Sequence, residues 1–276
     1  MHYVDEGRGP AVVLVHGTPT WSFLFRHVIA GLSRTHRVIA PDHLGFGLSE
    51  KPENAPYRPA DHARRLAALI EHLDLGPVTL IVHDVGGPIG LSYAIEHAEN
   101  VDALVLFNTW MWSLDNDPKV QRASRLASGP LGRLLYRHLN LSPKLLMPLV
   151  FGDRNSLTPD IHRHYTMPFE SARERTAPWV AAWELAGSAD WYEKLWQRRA
   201  ALASKPSLLM WGLEDPAFGM SALARWQDAL PGAEVEEYAD AGHFVLEEAG
   251  AAVMPRLTSF MRRCRYRQLP DARRAS

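Results

Sequence analysis

Short, unbroken apolar runs recur along this chain. They are built on Ala11–Val15, Arg37–Ala40, Val78–Val82, Ala103–Phe107 and Ser207–Trp211. Each is too short for a typical helix, and none alternates apolar with polar, so both faces of each run are expected to be buried. That is the signature of a central strand in a parallel sheet. Helical patterns separate the early runs, such as 62–73, where Leu66, Leu69, Ile70 and Leu73 fall on one stripe. Strands alternating with helices predict right-handed crossovers and an α/β fold.

The alternation stops between about 115 and 203. That stretch has helical periodicity and holds Trp179, Trp183, Trp191 and Trp196. It reads as a helical cap inserted after the strand that ends near Asn108. The expected organisation is a core of 1–114 and 204–265, a cap of 115–203 and a basic, disordered tail of 266–276. A short basic terminus is usually a solvated end.

Composition narrows the classes. The chain has 276 residues, 46% apolar and 22% charged, which are ordinary globular values. Its formal net charge of -1 gives no electrostatic reason to expect nucleic acid or a membrane surface as partner. The partners expected are a small apolar substrate and water, and oligomeric state is not legible. One cysteine, Cys264, excludes an intramolecular disulfide framework and a multi-cysteine zinc site. No signal-peptide pattern opens the chain and no apolar run reaches the length of a membrane span, so a cytoplasmic protein is expected.

The sharpest motif is Val82-His83-Asp84-Val85-Gly86-Gly87, which closes an apolar strand and opens a helix over 88–97. A strand-to-helix turn this tight needs small residues around its apex. Hydrolases built on such a sheet place their nucleophile at that apex. Here the apex is Asp84, whose charge the helix N-terminus favours. A helix N-cap aspartate is the plainer alternative. Two further segments argue against that alternative. Ala241-Gly242-His243-Phe244 follows the last expected strand, 234–238, where this kind of fold carries its general base. Trp211-Gly212-Leu213-Glu214-Asp215 ends another strand, where the acid partner sits. The chain order Asp84, Asp215, His243 is nucleophile, acid, base. Asn108 ends the preceding strand, the other acid position, and an amide cannot serve there. The loop His16-Gly17-Thr18-Pro19 follows the first central strand. Since Pro19 has no N–H, the oxyanion donors expected are the backbone amides of Thr18 and Val85.

Together these segments resemble the haloalkane dehalogenase family of the α/β-hydrolase fold, close to the epoxide hydrolases. The resemblance runs through 16–26, 38–52, the elbow at Asp84 and 239–245, and Tyr165-Thr166-Met167-Pro168-Phe169 is similar to the family's cap. It implies a mostly parallel central sheet flanked by helices. It also implies a hydrolase that needs neither metal nor organic cofactor. Asp84 would attack a carbon bearing halogen and form an alkyl ester, and His243, oriented by Asp215, would activate water against it. The family usually holds the leaving halide with a tryptophan after the nucleophile and an asparagine in the first loop. Here those positions are Val85 and Thr18. Removing one such donor typically costs about 3 kcal/mol of transition-state stabilisation. Trp110, Trp112, Trp179 and Trp183 are candidate replacements, and Trp21 and Phe169 are further candidate pocket residues. A second departure is the start, because the family normally has another strand before 2–7. The alternative, an epoxide hydrolase with the same three residues, would use cap tyrosines, for which Tyr136, Tyr165 and Tyr192 are available. A haloacid hydrolase would want an arginine after the nucleophile, which is absent. A non-catalytic, ligand-sensing member of the fold would gain nothing from a strained carboxylate beside a histidine.

Overall fold

A computed structural model of the chain describes residues 1–268. Seven strands form one sheet: β1 Tyr3–Glu6, β2 Ala11–Val15, β3 Arg37–Pro41, β4 Val78–Asp84, β5 Val101–Thr109, β6 Ser207–Gly212 and β7 Glu234–Tyr238. Their spatial order is β1-β3-β2-β4-β5-β6-β7. Every pairing is parallel except β1 with β3. The central runs are apolar throughout because helices cover both faces. Val13, Val15, Leu80, Val82, Leu104 and Leu106 belong to one buried cluster, while Val12, Leu14, Ile81, Val105 and Phe107 belong to the other. Successive strand residues point to opposite faces, so a strand with cores on both sides cannot alternate apolar with polar. β7 is different. Its Glu-Val-Glu-Glu-Tyr sequence is partly exposed, and Glu234 and Glu236 bind Arg256 at the sheet edge.

The helices are α1 Arg26–Leu32, α2 Pro59–His72, α3 Gly86–Glu96, α4 Pro118–Ser128, α5 Pro130–Leu139, α6 Pro159–Thr166, α7 Thr176–Gly187, α8 Ala189–Gln197, α9 Met220–Ala229, α10 Val245–Glu248 and α11 Gly250–Gln268. Between β5 and β6 the described chain holds helices and turns without a strand. Residues 266–268 continue α11 rather than belonging to a separate tail. Residues 269–276 of the expected tail lie outside the described residues. β1 lies within 2–7, and its four residues, two of them exposed carboxylates, carry no strong period of their own.

The strand order positions the site. β2 and β4 are neighbours, yet β2 leads to β3 on one side and β4 leads to β5 on the other. Connections that diverge from adjacent strands leave a crevice at their C-terminal ends. The loop after β2 and the turn after β4 meet there. α3 begins at Gly86, two residues earlier than the sequence suggested, and its packing explains the glycine. A Cβ on Gly86 would stand 2.2 Å from the Val15 carbonyl oxygen and 2.7 Å from that of His16. Both are backbone atoms, at the end of β2 and the start of its loop, with no side chain free to yield. Gly86→Ala is therefore expected to lower the unfolding free energy by about 3 kcal/mol, measured by urea denaturation. A change within about 0.5 kcal/mol, as at an unconstrained surface site, would contradict this packing.

Candidate active site

Asp84 sits at the end of β4 with φ 53, in the left-handed region that non-glycine residues rarely adopt. The reversal from strand to helix imposes that conformation, and small neighbours make room for it. A Cβ on Gly17 would fall 2.3 Å from Asp84 Oδ2, so the carboxylate lies directly against the β2 loop. The Thr18 N–H donates to Oδ2 at 2.8 Å, and the Val85 N–H also donates to the carboxylate. Thr109 Oγ1 donates to the Asp84 carbonyl, an approach that a side chain at Gly87 would block. Strain at Asp84 is thus held by hydrogen bonds from the loop after β2 and from the end of β5 on either side of it.

His243 comes from the loop after β7. Its Nδ1 is 2.8 Å from Asp215 Oδ2, and its Nε2 is 3.7 Å from Asp84 Oδ1. Two backbone contacts fix the ring's location. The His243 N–H donates to Val150 O at 2.8 Å, and the His243 carbonyl lies 2.9 Å from His83 Nε2. Asp215 is anchored in turn. Its Oδ1 accepts the Ala217 N–H at 2.8 Å, and its Oδ2 also accepts Asn108 Nδ2 at 2.9 Å. Asn108 clamps this loop further, since its Oδ1 accepts the Gly212 N–H at 2.8 Å and its Nδ2 donates to the Gly212 carbonyl at 3.0 Å. Sequence reasoning had set Asn108 aside because an amide cannot act as the acid. Its place at the end of the adjacent strand signals this clamping role.

All three side chains are buried, and their charges are set by one another. Burial pushes the Asp84 carboxyl above its ordinary value, and the His243 charge and the amides of Thr18 and Val85 only partly offset this. Burial opposes ionisation of Asp215 too, but its contact with His243 and the backbone donors outweigh it, so that carboxyl is lowered. Desolvation pulls His243 down, yet the Asp215 carboxylate, followed by Asp84, carries it up to about 8. The Nδ1 proton is thereby directed to Asp215, leaving Nε2 facing Asp84.

A cavity of about 220 Å³ opens over Asp84 and His243. Its wall is mostly apolar, with Pro19, Met147, Val150, Leu185, Phe218 and Phe244 among the lining residues. Thr18, Tyr136 and Ser142 are the hydroxyl-bearing residues among those that line it. Thr18 Oγ1 is buried without a hydrogen-bond partner. A larger groove, about 950 Å³, lies between α1 and α11 and includes none of these residues.

The aromatic pocket candidates lie elsewhere, and none of the six lines this cavity. Trp21 Nε1 donates to the His164 carbonyl. Trp110 stacks on Phe218, with ring centroids 4.6 Å apart, and Trp112 packs on Trp196 and Trp226. Phe169 is buried with Phe46 and Tyr57. Trp179 Nε1 donates to the Ala127 carbonyl, and Trp183 Nε1 is buried without a partner. Helix geometry gives the reason for the two in α7. Pro178, Ala181, Ala182 and Leu185 face the cavity, while Trp179 and Trp183, four residues apart, share another face. Of the cap tyrosines, Tyr136 lines the cavity. Tyr165 donates to Glu247, and Tyr192 is buried with its hydroxyl unpartnered.

Comparison with known proteins agrees with this architecture. Residues 10–250 match the family model described as the alpha/beta hydrolase fold. A cis-3-alkyl-4-alkyloxetan-2-one decarboxylase of Shewanella oneidensis is 35% identical over 273 residues, covering 95% of this chain and 85% of that protein. Haloalkane dehalogenase 2 of Mycobacterium bovis is 36% identical over 251 residues, covering 90% and 87%. The crystal structure of the haloalkane dehalogenase DatA from Agrobacterium tumefaciens C58 superposes with a TM-score of 0.85 at 27% identity, covering 95% of this chain and 92% of that one. The chain belongs to the α/β-hydrolase fold family. Within it, this protein is a haloalkane dehalogenase-like enzyme.

The electrostatics give a direct check. Asp215 is the main group holding the His243 pKa up, so Asp215→Asn is expected to bring it below its present value of about 8. NMR titration of the His243 imidazole measures this, and an unchanged midpoint would contradict the arrangement.

Proposed function

We propose that the protein hydrolyses carbon–halogen bonds of small apolar haloalkanes through a covalent ester on Asp84. The observation that carries this reading is a single carboxylate whose two oxygens have different surroundings. Oδ2 is held by the Thr18 amide, while Oδ1 faces His243 at the floor of an apolar cavity. In the first step Oδ1 attacks the carbon, the carbon–halogen bond breaks, and halide leaves with the bonding pair. In the second, His243 Nε2 takes a proton from water, whose oxygen adds to the ester carbonyl carbon. Negative charge then develops on Oδ2, where the Thr18 amide already points, and the Val85 amide is the second donor to this carboxylate. Collapse expels the alkoxide, which takes the proton from His243. The carboxylic acid left on Asp84 loses its proton to solvent. Alkylation also neutralises Asp84, one of the two carboxylates that raise the His243 pKa. The imidazole therefore becomes easier to keep neutral at the step that needs a base.

A second reading, opening of an oxetan-2-one ring, is favoured by one observation. Three hydroxyl-bearing residues, Thr18, Tyr136 and Ser142, are among those that line the cavity, and no tryptophan, asparagine or glutamine is, a set suited to an oxygen leaving group. The Shewanella oneidensis relative carries that substrate in its name. The epoxide reading requires two tyrosine hydroxyls above the nucleophile; Tyr165 is engaged with Glu247, and Tyr192, although within electrostatic reach of Asp84, does not line the cavity.

The test is a parallel assay of the purified protein and Asp84→Ala. It follows halide release from dibromoethane and bromobutane, alkene release from a cis-dialkyl oxetan-2-one, and diol formation from styrene oxide. The expected result is halide release that falls by at least about a thousandfold in the variant. Halide release that survives in Asp84→Ala would overturn the reading, and alkene without halide would establish the second one.

A further inference from the structure

The net charge of -1 conceals a strong local asymmetry. Residues 118–150 contain Lys119, Arg122, Arg125, Arg133, Arg137 and Lys144 and no aspartate or glutamate. The same stretch carries most of the large apolar side chains that the fold leaves in water. Leu126 in the last turn of α4, Leu131, Leu134 and Leu139 on α5, and Leu145 and Leu149 in the turns that follow are each at least half exposed. Scattered exposed leucines need no explanation, but six within one short basic stretch do. Two of the cations have protein partners, since Arg137 pairs with Glu53 and Arg133 lies over Trp179.

We propose that this leucine-rich, basic face of α4, α5 and the following turns docks on a membrane surface bearing anionic phospholipid. Leucines on one continuous segment with lysines and arginines beside them match the two attractions of interfacial binding, burial of apolar side chains at the acyl boundary and charge pairing with headgroups. The charge also selects between occupants. A second copy of the chain presenting the same face would set six cations against six cations, whereas an anionic headgroup layer complements them. No described helix is long and apolar enough to cross a membrane, so the contact is peripheral. The face is continuous with the cavity. Tyr136, Ser142, Leu146, Met147 and Val150 from this stretch line it, and Leu146 is also 38% exposed. An apolar substrate dissolved in the bilayer would reach the cavity over Leu146 without crossing water. The inference stands independently of which leaving group the enzyme accepts.

The test is co-sedimentation with phosphatidylcholine vesicles, with and without about 30% phosphatidylglycerol. It compares the wild type with two variants outside the cavity wall: Leu131→Ser/Leu134→Ser/Leu139→Ser, and Arg122→Gln/Arg125→Gln/Lys144→Gln. The expected result is binding to the anionic vesicles that weakens at about 0.5 M salt. Each variant should lose vesicle affinity by at least about tenfold, while turnover of a short soluble substrate stays at the wild-type level. Absence of vesicle binding would overturn the proposal, as would binding that the leucine variant leaves intact. Light scattering that shows a wild-type dimer dispersed by the leucine variant, without vesicle binding, would overturn it in favour of a self-interface.

Discussion

The contact between the Thr18 amide and the Asp84 carboxylate joins the fold to the site. It requires the β2 loop and the β4 turn to approach until Gly17 touches the carboxylate, and Gly86 must lie against the β2 backbone. Those approaches follow from the pairing of β2 with β4, where Val15 stands opposite Val82 and the two chains then diverge. The strained conformation of Asp84 is held by this junction on one side and by Thr109 on the other. A site assembled this way inherits the rigidity of the sheet, which is what a preorganised pair of amides needs.

Electrostatics follow from the same enclosure. Two buried carboxylates share one imidazole, and burial sharpens the difference between them. Asp215, with Asn108 and the Ala217 amide as additional donors, is held ionised. Asp84, with fewer compensating donors, is the one pushed toward its neutral form, and its charge is the one that alkylation would remove. Under the proposed mechanism this difference makes Asp215 the orienting carboxylate and Asp84 the reactive one.

Much of this was legible in the sequence because it is written in local signals. The central strands appear as runs such as Val78–Val82, and the structure brings Asp84, Asp215 and His243 together from the end of β4 and the loops after β6 and β7, placed by strand order. The pocket was not legible, for a physical reason. Tryptophans in a cap suggest a cavity wall, but which face of α7 looks inward depends on packing with α4 and α5. There the small side chains of Ala181 and Ala182 face in, and Trp179 bonds to Ala127. The Asn108 clamp was missed because it depends on Gly212 and Asp215, remote in sequence. The charge of the α4–α5 segment was hidden by summing over the whole chain.

The measurement that tests the central claim most directly is a single turnover in water enriched in oxygen-18. If Asp84 forms an ester that water attacks at its carbonyl, the first product carries ordinary oxygen from the carboxylate. The peptide containing Asp84 then gains about 2 Da. Label that appears in the first product, with none on that peptide, would mean that water attacks the substrate directly, and the account of Asp84 as nucleophile would fail.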